Sequence, residues 1–329
     1  MQAQGTGTPR SKAQGTRRNA QDGRAFKALG AVVLVVALLG AACAASGPKL
    51  ADHPLAGRIW DTQAQRFVAE DEARERVAAA DVALLGETHD NPVHHQIQAR
   101  LLAASAARVP KPALAMEQVD LEWQHAVDEA RTGGATPASI AKAGHVSDGW
   151  QWPLYEPLVA FALAHDLPIV AANYSRSRSK AVVAGGIGAL PAGEAERLAL
   201  APVWTPARNA RMRSILVEGH CGQDDPIIDK ILEVQRVRDA LMADAILSHQ
   251  RTVAIIGRGH ARADLGVPLY LAQRAPARHV ISVGLVEVDT DKPRPQDYED
   301  TGSGVHDLVF FTPRAARSDP CADFKKLRQ

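Results

Sequence analysis

The sequence predicts an α/β fold, with a mainly parallel sheet, helices on both faces and helical insertions. Short apolar runs rich in strand formers alternate with helical stretches, and several of the runs end in polar side chains. There is no tandem repeat and no clear interdomain linker. We therefore expect a single domain over residues 44–329, with its core at about 82–288 and helical insertions between about 133 and 222.

Length and composition are those of a globular protein rather than a nucleic-acid binder. The chain has 329 residues, 46% of them hydrophobic, which is enough to bury a full core. With 38 Lys and Arg against 37 Asp and Glu, no basic surplus indicates a nucleic-acid partner.

Residues 1–43 have the layout of a bacterial export signal, in which a basic leader precedes an uncharged apolar stretch. The segment "LGAAC" resembles a lipobox, although Gly40 stands where leucine is usual, and it predicts that Cys43 becomes the lipidated first residue. Ordinary signal-peptidase cleavage after "ACA", and retention as an uncleaved anchor, remain alternatives. We expect a membrane-anchored lipoprotein facing the periplasm, and a secreted soluble form remains open.

Two cysteines remain if Cys43 carries lipid. Cys221 and Cys321 are an even pair in an oxidising compartment, so we expect them to form a disulfide. Two unpaired buried thiols are the alternative, because spacing alone does not show that the sulfurs meet.

The first strand follows a helix of alternating charge. An apolar run at residues 81–86 predicts that strand, and "GETHDN" ends it. Asp90 or Asn91 can cap the next helix, and Pro92 suits its first turn. The pattern is strand, polar turn, helix.

The same alternation continues to the end of the chain. A polar loop from about residue 289 precedes a last apolar segment, "DLVFFTP". Strands are predicted at 112–117, 167–173, 251–260 and 278–288, and helices at 155–166, 193–201 and 226–250.

Polar side chains follow four of the predicted strands: Glu87 with His89, then Glu117, Asn173 and His260. Each has an ordinary structural explanation, such as a helix cap or a turn. Parallel strands deliver their carboxyl ends to one edge of a sheet, where ligand sites lie. We therefore expect these residues to line one crevice.

Two arginine-containing segments are predicted to bind anionic groups at that crevice. In "IIGRGHARADLGVP", Gly257 and Gly259 permit a tight turn, and Arg262 lies nearby. The segment lacks the third glycine of a dinucleotide fingerprint. In "NYSRSRSK", Arg178 and its neighbours can clamp carboxylates or phosphates, and a solvated helix start is the alternative.

The sequence is compatible with two kinds of metal site, a zinc site and a haem iron site. His94 and His95 are adjacent and do not have helical ligand spacing, so a zinc site would need His89 and His260 joined by a carboxylate such as Glu117. A tyrosine phenolate can instead hold ferric haem iron. Core packing or rim exposure is the alternative role for each tyrosine.

Several segments together resemble the ChaN family of haem-binding, iron-regulated bacterial lipoproteins, within the wider Tiki/TraB-like superfamily. The resemblance runs from about Val82 to Leu271 and implies an envelope protein for haem or iron uptake. It further implies paired haems held between two subunits and a tyrosine as iron ligand. The matching segments are "LLGETHDNPVHHQIQARLL", "ALAMEQVD", "LPIVAANYSRS", "HCGQ", "VQRVRDALMA" and "IIGRGHARADLGVPLYL".

The resemblance also implies that "GETH" and "GRGH" form the site that serves hydrolysis in Tiki-like and erythromycin-esterase-like branches. This chain departs from the family where Tyr174 and Ser175 replace a small residue and a proline after Asn173.

Two functions follow as hypotheses. The first is a haem-binding lipoprotein without turnover, with Tyr155 slightly preferred to Tyr174 as iron ligand because Trp150 and Trp152 lie beside it and can flank a porphyrin. The second is a hydrolase or metalloprotease that uses Glu87, His89 and His260. The residues expected to contact the cofactor are Tyr155, Tyr174, Glu87, His89, Glu117, Asn173, Arg178, His260 and Arg262.

Overall fold

A computed structural model describes residues 49–318 and residue 321. The expected export signal and the lipidation site at Cys43 lie outside the described residues. The described residues all belong to one compact unit. None of the helices in these residues has the length and hydrophobicity of a membrane-spanning segment.

Eight strands in the described residues form one sheet, in the order β2-β1-β8-β7-β3-β6-β4-β5. They are β1 (Ile59–Asp61), β2 (Arg66–Val68), β3 (Val82–Glu87), β4 (Ala113–Asp120), β5 (Ile169–Asn173), β6 (Thr252–Gly257), β7 (Val280–Glu287) and β8 (Leu308–Thr312).

Twelve α-helices surround this sheet in the same part of the chain. They are α1 (Glu70–Ala79), α2 (Pro92–Ala106), α3 (Gln124–Ala130), α4 (Pro137–Ala143), α5 (Glu156–Ala164), α6 (Arg176–Gly185), α7 (Glu194–Arg197), α8 (Leu200–Val203), α9 (Pro206–Gly219), α10 (Ile227–Leu247), α11 (Arg258–Ala261) and α12 (Val267–Arg274).

The central strands are parallel, which confirms the predicted fold. β3 pairs in parallel with β6 and β7, and β4 pairs in parallel with β6 and β5. The four strands that end in polar side chains are therefore neighbours. The antiparallel hairpin of β1 and β2, which extends the sheet beyond β8, was not predicted.

The sheet is covered on both faces because its central strands are largely apolar and fully buried. Every residue of β3 and β6 is buried, so neither face can be left to water. One face packs against α6, α10 and α12, for example through Val182, Val237 and Leu271. The other packs against α1, α2 and α5, for example through Leu101 and Leu158.

Gly86 lets the short helix α11 cross closely over β3. A Cβ at this position would lie 2.7 Å from Ala261 Cβ and 2.9 Å from the Arg258 Cα. A larger residue would push α11 away from the sheet. This close approach keeps His260, which lies on α11, at the carboxyl edge next to the end of β3.

Cys221 and Cys321 form a disulfide in the structure, with their Cα atoms 5.5 Å apart. Cys221 lies two residues beyond the end of α9. The bond therefore joins the end of the helical insertion to the C-terminal part of the chain.

Candidate functional site

The turn after β3 holds a histidine over the carboxyl edge of the sheet. β3 ends at Glu87, and Asn91 caps α2 by accepting a hydrogen bond from the Val93 amide at 2.9 Å. Pro92 occupies the first turn of that helix. Strand and helix are thus both fixed, and His89 lies in the short turn between them with 43% of its side chain exposed.

Glu87 is the centre of a buried hydrogen-bond network. Its Oε1 accepts from the Tyr155 hydroxyl at 2.6 Å and from Gln118 Nε2 at 3.3 Å, and its Oε2 accepts from Gln98 Nε2 at 2.7 Å. His89 Nδ1 lies 2.9 Å from Oε1. Glutamate so surrounded by donors is an acceptor-only carboxylate, so His89 carries a proton on Nδ1 and turns Nε2 toward the crevice.

This network also sets the charge of His89. Burial lowers the pKa of His89, but the hydrogen bond that His89 donates to Glu87 and the negative charge of Glu117 outweigh burial, so the pKa lies above its ordinary value. A carboxylate behind Nδ1 makes the opposite nitrogen a stronger base and a stronger ligand.

His94 and His95 fix the turn rather than facing the crevice. His94 Nδ1 accepts from the Thr88 amide at 2.9 Å, and its Nε2 lies 2.8 Å from Thr312 Oγ1. His95 Nε2 donates to the His89 carbonyl at 3.0 Å. Both rings are buried, and they hold the backbone on either side of His89.

Glu117 is held as a buried carboxylate in β4, just after the point where the pairing of β4 with β6 ends at Met116. Its Oε1 accepts from Arg238 Nη2 at 2.6 Å, and its Oε2 accepts from the Gly257 amide at 2.6 Å. Burial raises the pKa of Glu117, but the nearby His260, Arg238 and His89 together outweigh burial and lower it to about 2. Arg238 Nη2 also donates to Asn173 Oδ1 at 2.9 Å, which links the ends of β4 and β5.

His260 forms a second carboxylate-backed histidine. Its Nδ1 lies 2.5 Å from Oδ1 of Asp239, and its Nε2 lies 3.6 Å from Glu117 Oε1. Asp239 is fully buried on α10, and burial raises its pKa despite the neighbouring His260. Both imidazoles thus use Nδ1 for a carboxylate behind them.

Two adjoining cavities form the crevice. The outer cavity, of about 550 Å³, lies between the ends of β4 and β5 and the helices α6 and α10. The inner cavity, of about 370 Å³, lies beneath α9. His89, Gln235 and Arg238 line both cavities.

The structure brings the five expected crevice residues to one edge. Glu87, His89, Glu117 and His260 line the inner cavity, and Asn173 lines the outer cavity with His89. Gly257 leaves room for this arrangement, because a Cβ there would lie 3.2 Å from His89 Nε2.

The two tyrosines occupy different places, and the structure argues against the preference for Tyr155. Tyr155 is fully buried in the core, and its hydroxyl donates to Glu87. Burial and the charge of Glu87 raise the pKa of Tyr155 far above its ordinary value, so the phenol stays protonated. Tyr174 lines the outer cavity, and its hydroxyl makes no hydrogen bond within the described residues.

Arg262 and Arg178 also differ from expectation. Arg262 is buried and binds Asp264 at 2.7 Å and Glu299 at 2.7 Å, so it stabilises the loop after α11 and lines neither cavity. The Arg178 guanidinium lies over the Tyr174 ring, 5.2 Å from its centroid. The arginine of this segment that lines the outer cavity is Arg176.

Sequence reasoning missed Asp239, Arg238, Gln98 and Gln118 as site residues. Asp239 lies between the buried residues Val237 and Ala240 on α10. An acid on the apolar face of an amphipathic helix indicates a buried partner, and that signal was present in the sequence.

In residues 49–318 and at Cys321, no group of three or more His, Cys, Asp or Glu side chains is arranged to hold a metal ion. The zinc arrangement of His89, His260 and Glu117 therefore gains no support from the described residues. Arg238 instead binds Glu117 directly.

One family model matches residues 73–271 of this chain, and its description is "Haem-binding uptake, Tiki superfamily, ChaN". Among solved structures, ChaN of Campylobacter jejuni, reported with cofacial haem binding, is 22% identical over 77% of this chain and 95% of that chain, with a TM-score of 0.64. That likeness shows a shared fold. A search of curated proteins gave no significant match.

Two more distant structures are similar over most of the chain. A Bacillus cereus protein is 12% identical over 82% of this chain and 96% of that chain, with a TM-score of 0.43. An erythromycin esterase in its open conformation is 12% identical over 82% of this chain and 86% of that chain, with a TM-score of 0.41. Likenesses this low do not bear on function.

Proposed function

This chain belongs to the ChaN family of haem-binding uptake proteins in the Tiki superfamily, and from that premise we propose that it binds haem in the outer cavity. The Campylobacter jejuni relative is reported with cofacial haem binding. The observation that carries the proposal for this chain is the chemistry of the cavity wall.

The lining of the outer cavity fits a porphyrin. Apolar and aromatic side chains suit the macrocycle, and two arginines suit the propionates. The apolar and aromatic residues are Trp150, Tyr174, Val183, Ile231 and Val234, and the arginines are Arg176 and Arg238, of which Arg238 also binds Glu117 and Asn173.

Tyr174 is the tyrosine available as iron ligand in this cavity. Its hydroxyl is free of hydrogen bonds within the described residues, whereas the hydroxyl of Tyr155 is engaged by Glu87. Burial raises the pKa of Tyr174, and the positive charge of Arg178 over its ring opposes that rise. A bound ferric iron would favour the phenolate further.

Two further features of the proposal come from the family resemblance. A cavity open on one side covers one face of a flat macrocycle, and a second subunit can cover the other face, so we expect a homodimer on haem binding. We also propose that the protein is a cell-envelope lipoprotein anchored through Cys43 and involved in haem or iron uptake. Mass spectrometry of the N-terminal peptide tests the anchor, and an unmodified peptide starting at Ala45 would refute it.

A spectrophotometric titration with ferric haem tests the main proposal. We expect a saturable Soret band at one haem per chain, and weaker binding by Arg176→Ala than by Lys230→Ala. Lys230 is a suitable control because it lies on α10 but does not line the cavity. A titration without saturation would remove the proposal.

The paired histidines favour hydrolysis as a second candidate function. His89 and His260 each have Nδ1 held by a carboxylate, and such an imidazole can activate water through Nε2. If the wild-type protein hydrolyses an activated ester and His260→Gln does not, that result would support this function. A rate equal to that of the uncatalysed reaction in both proteins would eliminate it.

A further inference from the structure

Helix α9 forms an apolar wall of the inner cavity. Met212, Ile215 and Leu216 line this cavity together with His89, Glu117 and His260. The wall covers one side of the site that holds the two histidines and their carboxylates. The position of α9 therefore determines how far this side of the inner cavity is covered.

The non-covalent attachment of α9 is weak. Met212 is the one buried residue among its 14 positions, all of which the structure describes, whereas α10 has eleven buried residues. Its ion pairs, Arg211 with Glu299 and Arg213 with both Asp224 and Asp229, lie at the surface, where solvent screens them. A helix with so little buried surface belongs among the elements that open first.

The disulfide supplies a covalent attachment at the end of this helix. Cys221 lies two residues after the end of α9 and is bonded to Cys321. Four residues before Cys321, Arg317 binds Asp90 at 2.8 Å and also binds Glu287. Asp90 is the neighbour of His89, so the disulfide joins the wall of the inner cavity to the segment that supports the His89 turn.

We propose that the Cys221–Cys321 disulfide is a redox-sensitive latch that keeps α9 closed over the inner cavity. A dithiol reductant supplies two electrons and two protons, which convert the S–S bond into two thiols while the reductant becomes a disulfide. The released α9 then opens more often, and water enters the inner cavity.

The latch acts on haem through the residues that the two cavities share, a step that rests on the proposed function. His89, Gln235 and Arg238 line both cavities. Water that enters beneath α9 reaches Arg238 and its contacts with Glu117 and Asn173. We therefore expect haem to dissociate faster from the reduced protein.

Hydrogen exchange of the mature protein measures the latch without haem. Peptides of α9 should exchange about tenfold or more faster after dithiol reduction, and those of α10 should be unchanged, because opening is local. Cys221→Ser with Cys321→Ser should exchange fast in both conditions. If the double variant does not fold, reduced wild type still provides the comparison with oxidised wild type.

Haem dissociation is then measured by transfer to apomyoglobin, in wild type and in the double variant without reductant. We expect dissociation several-fold faster from the variant, in line with more frequent opening. Unchanged exchange of α9 would overturn the latch, and fast exchange with unchanged haem dissociation would overturn its regulatory role. If oxidised wild type binds no haem, the proposed function fails, and exchange alone decides whether the disulfide closes α9.

Discussion

The Tyr155 hydroxyl donates to Oε1 of Glu87 at 2.6 Å, and this contact places the phenol in the supporting network rather than in the cavity. Glu87 in turn holds His89 Nδ1 at 2.9 Å. A buried tyrosine thus acts on the crevice through two hydrogen bonds. The contact separates the roles of the two tyrosines near the site.

Replacing Tyr155 by phenylalanine should therefore reduce stability while leaving the ligand of haem in place. A hydrogen bond to a buried carboxylate contributes about 1.5–3 kcal/mol, and we expect a loss of that size in the free energy of unfolding. Urea unfolding measures it, and the ferric haem spectrum of the folded variant should match wild type. A changed ferric haem spectrum in the variant would indicate that Tyr155 is the iron ligand.

Replacing Glu87 by glutamine should lower the pKa of His89. Burial lowers that pKa in wild type, and the hydrogen bond and charge of Glu87 oppose burial. Without the carboxylate, fewer interactions oppose the lowering of the His89 pKa by burial. NMR titration, with His89→Ala to assign the signal, checks the direction, and an equal or higher pKa in the variant would show that Glu87 does not control His89.

The low pKa of Glu117 predicts a loss of stability in acid. Its folded value of about 2 lies below its ordinary value of 4.5, so the unfolded chain binds more protons between these two values. The stabilisation from ionised Glu117 is present above pH 4.5 and is lost as the pH falls toward 2. The free energy of unfolding should fall by on the order of 3 kcal/mol over this range.

Glu117→Gln should thus be less stable than wild type at neutral pH, and the difference should shrink between pH 4.5 and 2. Denaturant unfolding at several pH values measures this difference. Glu129→Gln is the matched control, because Glu129 is exposed and pairs only with the exposed His125 among the described residues. A difference independent of pH would mean that Glu117 is not the titrating group.

Removing the disulfide should cost stability through the unfolded state. The bond joins residues separated by 100 positions, and a bond of this kind contributes about 2–4 kcal/mol, with longer loops toward the upper end. Thermal unfolding of Cys221→Ser with Cys321→Ser measures the loss. Thiol titration of denatured, unreduced wild type should find neither cysteine free, and two reactive thiols would show that the bridge is absent.

The centre of the fold could be predicted from sequence because local pattern and topology agree there. Apolar runs ending in Glu87, Glu117 and Asn173 are short, buried and followed by helix signals, and parallel pairing puts their ends on one edge. The hairpin of β1 and β2 escaped prediction because its three-residue strands are too short to show alternation.

The partners inside the site could not be predicted in the same way. Contacts such as that of His260 with Asp239, or of Tyr155 with Glu87, join residues that lie 21 and 68 positions apart. A local pattern can mark Asp239 of α10 as buried, but it does not encode the partner of that side chain, or of Tyr155, which directly precedes α5. The same limit explains Arg262, whose position beside the glycine turn suggested a ligand contact although Asp264 and Glu299 bind it.

The ferric absorption spectrum of Tyr174→Phe, reconstituted with haem beside wild type and Tyr155→Phe, tests the central claim most directly. We expect one haem per chain and a high-spin tyrosinate spectrum in wild type and in Tyr155→Phe, and loss of that spectrum in a folded Tyr174→Phe. A tyrosinate spectrum that persists in Tyr174→Phe, or a wild-type protein that takes up no haem, would contradict haem binding through Tyr174 in the outer cavity.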